Sequence, residues 1–515
     1  MNKTIKALST VSILLVISKL FGFIREIVIA AIYGATYQTD AYNMAFNIIG
    51  FSTAIISVGV ATIIIPMYNH RRVQQSQEEA DSFASNILWI TSLFYIAISI
   101  IGIVIAPVVV KVFAPSFGDE VAALTVKIVR IIFIFTVAAN VTNILTSIAK
   151  INSKFAITVI SGFPLAIFTI IITILFANKI GIYALAISYI LYSLTQALLL
   201  ILSIRKVFRF RAFISFTNGD MREVVKLSLP VYVSIAVWEM NAVIDRMLAS
   251  GLSEGSISAM GYAAKLRALP DGVLSASIIM VMFPLMSKYA ANLDFDSLKK
   301  TTAKAISLLS LALLPIIAVS LYYSGEITKI VFERGAFTPE NTVLTASIFI
   351  FAVTSLIFSG VGTLLSNSFY SIQDTKSPQF AAVIMVVVNI VLNLILVRSM
   401  QAAGLTLATS ISFFIYFAIL FVQFRRKLGA FGGLALLKNV AKYVFATACM
   451  VPVFLLCELL RGRLPLLVFF SVAAALSLCV YAVLLWLLRA DLFLEALGRA
   501  RVFLRGRCTN KNNID

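Results

Sequence analysis

The chain has 515 residues and a formal net charge of +19, yet only 13% of its residues are charged and 60% are hydrophobic; its mean hydropathy is +0.99. That composition excludes a soluble multidomain protein, because apolar stretches of about twenty residues, each able to cross a hydrocarbon core of roughly 30 Å, recur from end to end. It also removes nucleic acid as the reason for the basic balance, since the cations sit in alternate connections between apolar stretches.

Lys3 and Lys6 precede an apolar stretch from about Leu8 to Tyr33. It is too long for a cleavable leader and no small-residue cleavage site follows, so it reads as a retained first span. Further spans are expected near 41–67, 84–112, 121–148, 155–177, 181–204, 223–250, 258–287, 304–324, 341–370, 379–398, 402–424, 439–460 and 464–488. This predicts an all-α polytopic membrane protein of about fourteen transmembrane helices. Arg71–Arg72, Arg205/Lys206/Arg209/Arg211, Lys299–Lys300, Arg425–Arg426–Lys427 and Arg499/Arg501/Arg505/Arg507 all fall on one side, predicted to be cytoplasmic with both termini. The opposite loops Ala35–Asp40, Asn178–Lys179 and Ser253–Glu254 are short. His70 reads as a solvated flank. Cys449, Cys457, Cys479 and Cys508 fit no metal spacing and read as thiols filling space or held reduced.

The chain also repeats itself at an offset of about 220 residues. Asp40-Ala41-Tyr42 matches Met260-Gly261-Tyr262, Ile65-Pro66-Met67 matches Phe283-Pro284-Leu285, and Val112-Phe113 matches Val331-Phe332. Asn152-Ser153-Lys154 matches Asp374-Thr375-Lys376, and Leu185-Ala186-x-Ser188 matches Leu407-Ala408-x-Ser410. Six spans per repeat is an even number, so the lobes are parallel and related by an axis along the membrane normal. The expected organisation is a six-helix lobe over 1–204, a cytoplasmic linker over 205–222, and a second lobe over 223–424. A basic loop over 425–438, two extra helices over 439–488 and a basic cytoplasmic tail over 489–515 follow.

An ionisable side chain at mid-bilayer costs at least ~2.5–3.5 kcal/mol, so each needs a reason. Lys19, Arg25 and Glu26 lie in span one; Glu239, Asp245 and Arg246 in span seven; Lys265, Arg267 and Asp271 in span eight. Spans one and seven open the two repeats, so symmetry predicts a polar cavity between the halves. Gly22, between Lys19 and Arg25, relieves crowding or permits a bend. Glu239 and Arg246 read as structural, through pairing or snorkelling. Three cations, Lys19, Arg25 and Lys265, suit an anionic substrate such as a phosphate or pyrophosphate. Asn389 and Asn393 share one face of span eleven, with Thr409 in the next helix. Near Asp245 these oxygens either hold a small hard cation or serve interhelical hydrogen bonds. No Walker A loop, Ser/His/Asp set or paired-carboxylate constellation is visible, which points away from an enzyme.

Ser18-Lys19-Leu20-Phe21-Gly22-Phe23-Ile24-Arg25-Glu26, followed by Thr39-Asp40-Ala41-Tyr42, resembles the opening of the MurJ/MviN lipid II flippases of the multidrug/oligosaccharidyl-lipid/polysaccharide exporter superfamily. Ala114-Pro115-Ser116-Phe117, Tyr262-Ala263-Ala264-Lys265-Leu266 with Pro270 and Gly272, Gly335-Ala336-Phe337 and Phe369-Tyr370-Ser371-Ile372-Gln373-Asp374-Thr375-Lys376-Ser377-Pro378 are similar to further family stretches. The resemblance implies a flippase that carries a polyprenyl-pyrophosphate-linked saccharide, above all the peptidoglycan precursor lipid II, from the cytoplasmic to the outer leaflet of the bacterial inner membrane. It implies that Lys19, Arg25 and Lys265 hold the pyrophosphate, with Glu26 and Arg267 in the same substrate site and Asp40 an acidic residue at the outer edge. It also implies that the two extra helices form a groove for the lipid tail.

In some members a sodium ion sits between spans seven, eleven and twelve, and Asp245, Asn389, Asn393 and Thr409 match those positions. No other cofactor is implied. The partners are the lipid-linked saccharide and membrane lipids, with no soluble protein partner inferable. The sequence departs from the family pattern at Lys19 and Lys265, where arginines are usual. Another departure is the uncharged stretch Ser52-Thr53-Ala54-Ile55-Ile56-Ser57-Val58-Gly59, where an Arg and a Glu-Gly-Ala motif are usual. The alternatives are a flippase for another undecaprenyl-linked glycan and a cation-coupled drug exporter.

The charge asymmetry predicts that cysteines introduced at Lys154, Lys376 and Arg425 are shielded from an impermeant thiol reagent in intact cells. Labelling of Lys376→Cys from outside would overturn the fourteen-span topology.

Overall fold

The computed structural model describes residues 2–211, 214–215, 224, 232, 235, 239–431, 433–495 and 497–498, with backbone alone at 2–12 and 54–62. The tail cations Arg499, Arg501, Arg505 and Arg507, Cys508, and the side chains of Lys3, Lys6 and 54–59 lie outside the described residues. So do most of 212–222 and most of the start of span seven.

Among the described residues every regular element is helical. A helix satisfies its backbone N–H and C=O groups within the segment, as a lipid-embedded chain must. The long elements are α1 (Asn2–Tyr33), α2 (Tyr37–Gln74), α3 (Gln77–Phe113), α4 (Asp119–Phe133), α5 (Thr136–Ile151), α6 (Phe155–Ile160), α7 (Phe163–Ile180) and α8 (Tyr183–Ile204). After a helical segment at 239–249 come α9 (Ser256–Pro270), a π-helical turn (Asp271–Ser275), α10 (Ala276–Ala291), α11 (Phe295–Tyr322) and α12 (Ser324–Phe332). The chain continues through α13 (Pro339–Ser371), α14 (Lys376–Leu428), α15 (Gly433–Ala448), α16 (Met450–Glu458) and α17 (Leu466–Leu487). Nine helices among the described residues are long and apolar enough to cross a membrane, or ten counting the pair α4–α5. The polytopic all-helical class follows.

The structure refines several expected spans. Span four is bent by 46° between α4 and α5. There the Thr136 hydroxyl bonds the Phe133 carbonyl at 2.9 Å and meets Ser99 at 2.7 Å, a side-chain alternative to the helical ladder. The break seats the Phe133 ring on Gly102, where a Cβ would stand 2.8 Å from it. In span eight, Pro270 lacks a backbone donor and a π-turn follows it directly. At Gly22 α1 continues as helix, with open space where a Cβ would stand.

The 53-residue α14 is two helices folded back on each other at Gln401, which has φ 50° and ψ −132°. Residues twenty apart on a straight helix would stand roughly 30 Å apart, yet Asn389 Nδ2 donates to Thr409 Oγ1 at 3.2 Å. Near the tip Gly404 lies against the Leu396 carbonyl, which a Cβ would approach to 2.4 Å.

The described chain forms two compact units. The first comprises Met1–Tyr262, Phe332–Leu344 and Asn393–Leu405; the second comprises Ala263–Val331, Thr345–Leu392 and Thr406–Asp515. One core of the first unit gathers Ile29, Met44, Ile48, Ile128, Ile132 and Leu405. The linker after α8 is fastened along α3: Asp81 accepts from Arg209 N, Ser85 from Arg211 N, and Asn86 exchanges two bonds with the Ser215 backbone. In the second unit, α15–α17 attach to α11 through Ser307 with Tyr443 at 3.2 Å and Tyr481 OH on the Leu311 carbonyl at 2.9 Å.

Two backbone turns recur at an offset of 220, which sets Lys154 against Asp374 and not against Lys376 as the sequence match has it. The turns after α5 and α13 close with the same bonds, Lys154 N to Ala149 O and Asp374 N to Phe369 O, around Ser153 and Gln373 in the left-handed region. Phe117 N to Ala114 O and Phe337 N to Arg334 O repeat at the same offset, both at 3.2 Å.

Gly34 and Gly335 make a reciprocal backbone contact in the first unit. A Cβ on Gly34 would stand 2.4 Å from Ala336 O, and one on Gly335 would stand 2.1 Å from Ala31 O, which Ala336 N already bonds at 2.7 Å. Both glycines have positive φ. Gly335→Ala should therefore cost more than the ~1–2 kcal/mol of left-handed strain alone. Gly181→Ala, with φ +57° and open space beside it, should cost only that strain. Thermal unfolding of the purified variants compares them, and an equal loss at the two positions would count against the backbone contact.

Candidate functional site

Asp40 sits in the first turn of α2, just before the expected span 41–67, and is 5% exposed. Its carboxylate accepts from Gly255 N at 2.7 Å, Ser258 N at 2.7 Å and Ser258 Oγ at 2.6 Å. These amides stand at the start of α9, where a helix leaves its first N–H groups unpaired and favours negative charge. Asn43 Nδ2 reaches the same Ser258 hydroxyl at 3.2 Å. Gly255, at φ +83°, lets the backbone close on Ala35 O, 2.3 Å from where a Cβ would stand. A carboxylate of the first repeat thus clamps a helix of the second within the first unit. Burial pushes this carboxyl up to about 6, while the bonds from Ser258 and Gly255 pull it down.

Arg25 and Glu26 form an ion pair on α1, with side chains 19% and 12% exposed. Glu26 engages Nη2, and Arg25 Nε is buried without a hydrogen bond among the described residues. Adjacent residues diverge by about 100° on a helix, so the pair closes only because the long arginine wraps toward its neighbour. Tyr42 and Tyr192 lie within electrostatic range of Arg25. An aromatic seam runs from Tyr42 through Phe46 and Tyr189 to Tyr192, with ring centroids 4.6, 5.0 and 5.9 Å apart. Lys19 is exposed and roughly 9 Å further along the same helix. Tyr262, the repeat partner of Tyr42, does different work. It is buried, donates to Gly34 O at 3.0 Å and packs on Phe332 and Phe337.

In the second unit Arg267 is held by two hydroxyls of α13, Ser355 to Nε at 2.7 Å and Ser359 to Nη2 at 2.6 Å. It also stands over Phe413, 5.9 Å from the ring centre. Lys265, two residues earlier, is exposed.

The four expected cation ligands fall into two pairs. Asn393 Nδ2 meets Asp245 Oδ1 at 2.6 Å in the first unit, and Asn389 meets Thr409 in the second. Both asparagines are fully buried. Among the described residues no three His, Cys, Asp or Glu side chains gather, so a cation at Asp245 would rely on one carboxylate and neutral oxygens. Both pairs, as they stand, are hydrogen bonds donated by the asparagine amides. Arg246 bonds the Ala242 carbonyl of its own helix at 3.3 Å, a structural role.

Sequence reasoning missed the partners: Gly255, Ser258 and Asn43 for Asp40, Ser355 and Ser359 for Arg267, and Tyr42 and Tyr192 for Arg25. The only advance signal was the Ser253–Ser258 cluster ahead of an apolar run, a helix-start composition.

Comparison with known proteins gives a consistent picture. The family model described as lipid II flippase MurJ matches residues 29–476. A probable lipid II flippase MurJ of Rickettsia prowazekii is 29% identical over 404 residues, 77% of this chain and 79% of that protein. The one from Thermotoga maritima is 25% identical over 445 residues, 86% and 88% of the two chains. Among solved structures, a lipid II flippase MurJ in an inward closed conformation superposes with TM-score 0.80 at 24% identity, covering 94% of this chain and 99% of that one. An inward-facing multidrug resistance MATE family transporter of the MOP superfamily gives 0.67 at 14%, covering 84% and 99%. These likenesses to solved structures concern the fold.

The raised Asp40 carboxyl fixes the sign of a pH effect. Clamped, it keeps its proton to about pH 6, whereas in water it would ionise near its ordinary value of about 3.9. The stabilisation is full below about 4 and is lost as pH rises through 6. Protection of the Gly255–Ala259 amides from hydrogen exchange, corrected for intrinsic rates, should fall about tenfold from pH 5 to 7.5. Asp40→Asn should flatten that dependence; an unchanged slope in the variant would sink this account.

Proposed function

The chain belongs to the lipid II flippase MurJ family, and from that premise we propose that it moves lipid II across the bilayer, from the cytoplasmic to the outer leaflet. It acts as a transporter and makes no covalent change. The observation that carries the reading is the Arg25–Glu26 pair in a membrane helix. Glu26 neutralises the guanidinium while leaving other N–H donors of Arg25 uncommitted. An incoming pyrophosphate offers a bidentate acceptor that a single carboxylate oxygen does not. Exchange of Glu26 for pyrophosphate loads the site, and the reverse exchange returns the empty carrier without a bare charge in hydrocarbon.

In this reading Lys19 and Lys265 add point charges for the pyrophosphate, and Arg267 is positioned for it by Ser355 and Ser359. The lobes 1–204 and 223–424 alternate access, and the Asp40 clamp holds the outer end shut. The lysine and arginine bias supports a bacterial inner membrane location with both termini cytoplasmic. A sodium ion as the coupling cation is assigned to Asp245, Asn389, Asn393 and Thr409 by resemblance alone. Binding it requires Asn393 to turn its oxygen toward Asp245 in place of the amide that bonds it here. The exposed apolar side chains Leu455, Leu456, Leu459 and Leu467 support a lipid-tail surface on the helices of 439–488.

If Arg25 grips through its planar fork, Arg25→Lys should impair flipping as Arg25→Ala does, by roughly ten- to a hundredfold. Lys265→Arg should be tolerated and Lys265→Ala should not. Outward movement of lipid II in vesicles, read beside protein abundance, tests this. Full transport by the Arg25→Ala, Lys265→Ala double variant at normal abundance would remove the cationic mechanism.

A further inference from the structure

The second unit contains an apolar cavity of about 620 Å³ bounded by α11, α13, the second arm of α14 and the start of α15. Ile306, Val361, Phe417, Phe421 and Leu437 are among its walls, and among the described residues Arg425 is the one charged side chain that lines it. Phe417, Phe421 and Arg425 stand four residues apart on one helix face, so the cavity runs roughly 12 Å along α14 from the arginine into the apolar bundle. After Gly429, at φ +84°, the chain turns back and buries Phe431 against Phe421 and Phe424, with ring centroids 5.1 and 4.7 Å apart. Phe431 thereby forms part of the cavity wall.

The basic run Arg425–Arg426–Lys427 is divided by the fold. Lys427 is committed to Asp374 and sits over the Phe369 ring at 5.9 Å. Arg425 is exposed at the cavity, and Lys438 on α15 is exposed nearby in sequence. An apolar slot that ends in a guanidinium has the two-part chemistry of a phospholipid: a chain to exclude from water and a phosphate to grip. Basic pockets between membrane helices on the cytoplasmic side select anionic headgroups in this way.

We propose that this cavity binds one anionic phospholipid of the surrounding bilayer, its acyl chain along Phe417 and Phe421 and its phosphate on Arg425. The site lies at the end of the bundle that carries the basic run, and it stands whether or not the chain transports lipid II. Neighbouring Arg426 and Lys438 favour an anionic headgroup over a zwitterionic one.

The test uses the full-length protein with phosphatidylglycerol and phosphatidylethanolamine, counting retained lipids by native mass spectrometry and following thermal unfolding. Wild type should retain phosphatidylglycerol about tenfold better and be stabilised by it against heat. Arg425→Gln should lower retention of both lipids, because both carry the phosphate that Arg425 grips, and should erase the thermal shift. Leu437→Trp, at an exposed lining position, should lower retention of both lipids without unfolding the protein. Retention unchanged in both variants overturns the proposal. So does displacement of the retained phosphatidylglycerol by a polyprenyl phosphate at equal concentration, which would give the cavity to the carried lipid's tail.

Discussion

Hydrocarbon offers no water to a backbone amide, a hydroxyl or a charge, and each such group must find its partner inside the protein. The helices are one consequence, and the hydroxyls are another. Ser52, Thr53, Thr91, Ser188 and Ser412 bond the carbonyl one turn back on their own helices. They add polarity to the spans without leaving a polar group unsatisfied. Where a hydroxyl reaches elsewhere, it holds something: Ser99 meets Thr136 at the bend between α4 and α5, and Ser355 and Ser359 take the guanidinium of Arg267.

The same constraint governs the charges. Asp40 is tolerated in a buried setting because three donors, two of them backbone amides at a helix start, converge on it. Arg25 is tolerated beside Glu26. In the proposed mechanism that carboxylate is exchanged for a substrate anion. Arg246 instead turns back onto the carbonyl of its own helix.

Residues matched at the repeat offset have different settings. Tyr262 is locked between Gly34 O and two phenylalanines, whereas Tyr42 is part-exposed beside Arg25. Asp40 has Met260 at its repeat position, so only one of the two copies can clamp a helix start. The turns, by contrast, remain alike, because a left-handed residue at a helix end satisfies the same carbonyls in either copy.

Hydropathy alone determined the all-helical membrane class, because a twenty-residue apolar stretch has few other stable settings. The turns at 149–154 and 369–374 share their backbone bonds at an offset of 220, two residues from the register that the motif match suggested. Arg25, Glu26, Asp40 and Arg267 stood out in sequence as charges in or beside apolar stretches. Their partners did not, because Ser258, Ser355 and Ser359 are ordinary serines until packing brings them within 2.7 Å of a charge. Nor could periodicity foresee the break at 134–135, where the Thr136 hydroxyl bonds the Phe133 carbonyl and Gly102 receives a ring. Gly335 looked like a family motif, and only tertiary structure gave its reason: the Ala31 carbonyl lies where any side chain would begin. Sequence records which groups need partners in hydrocarbon; the fold decides which partner each one meets.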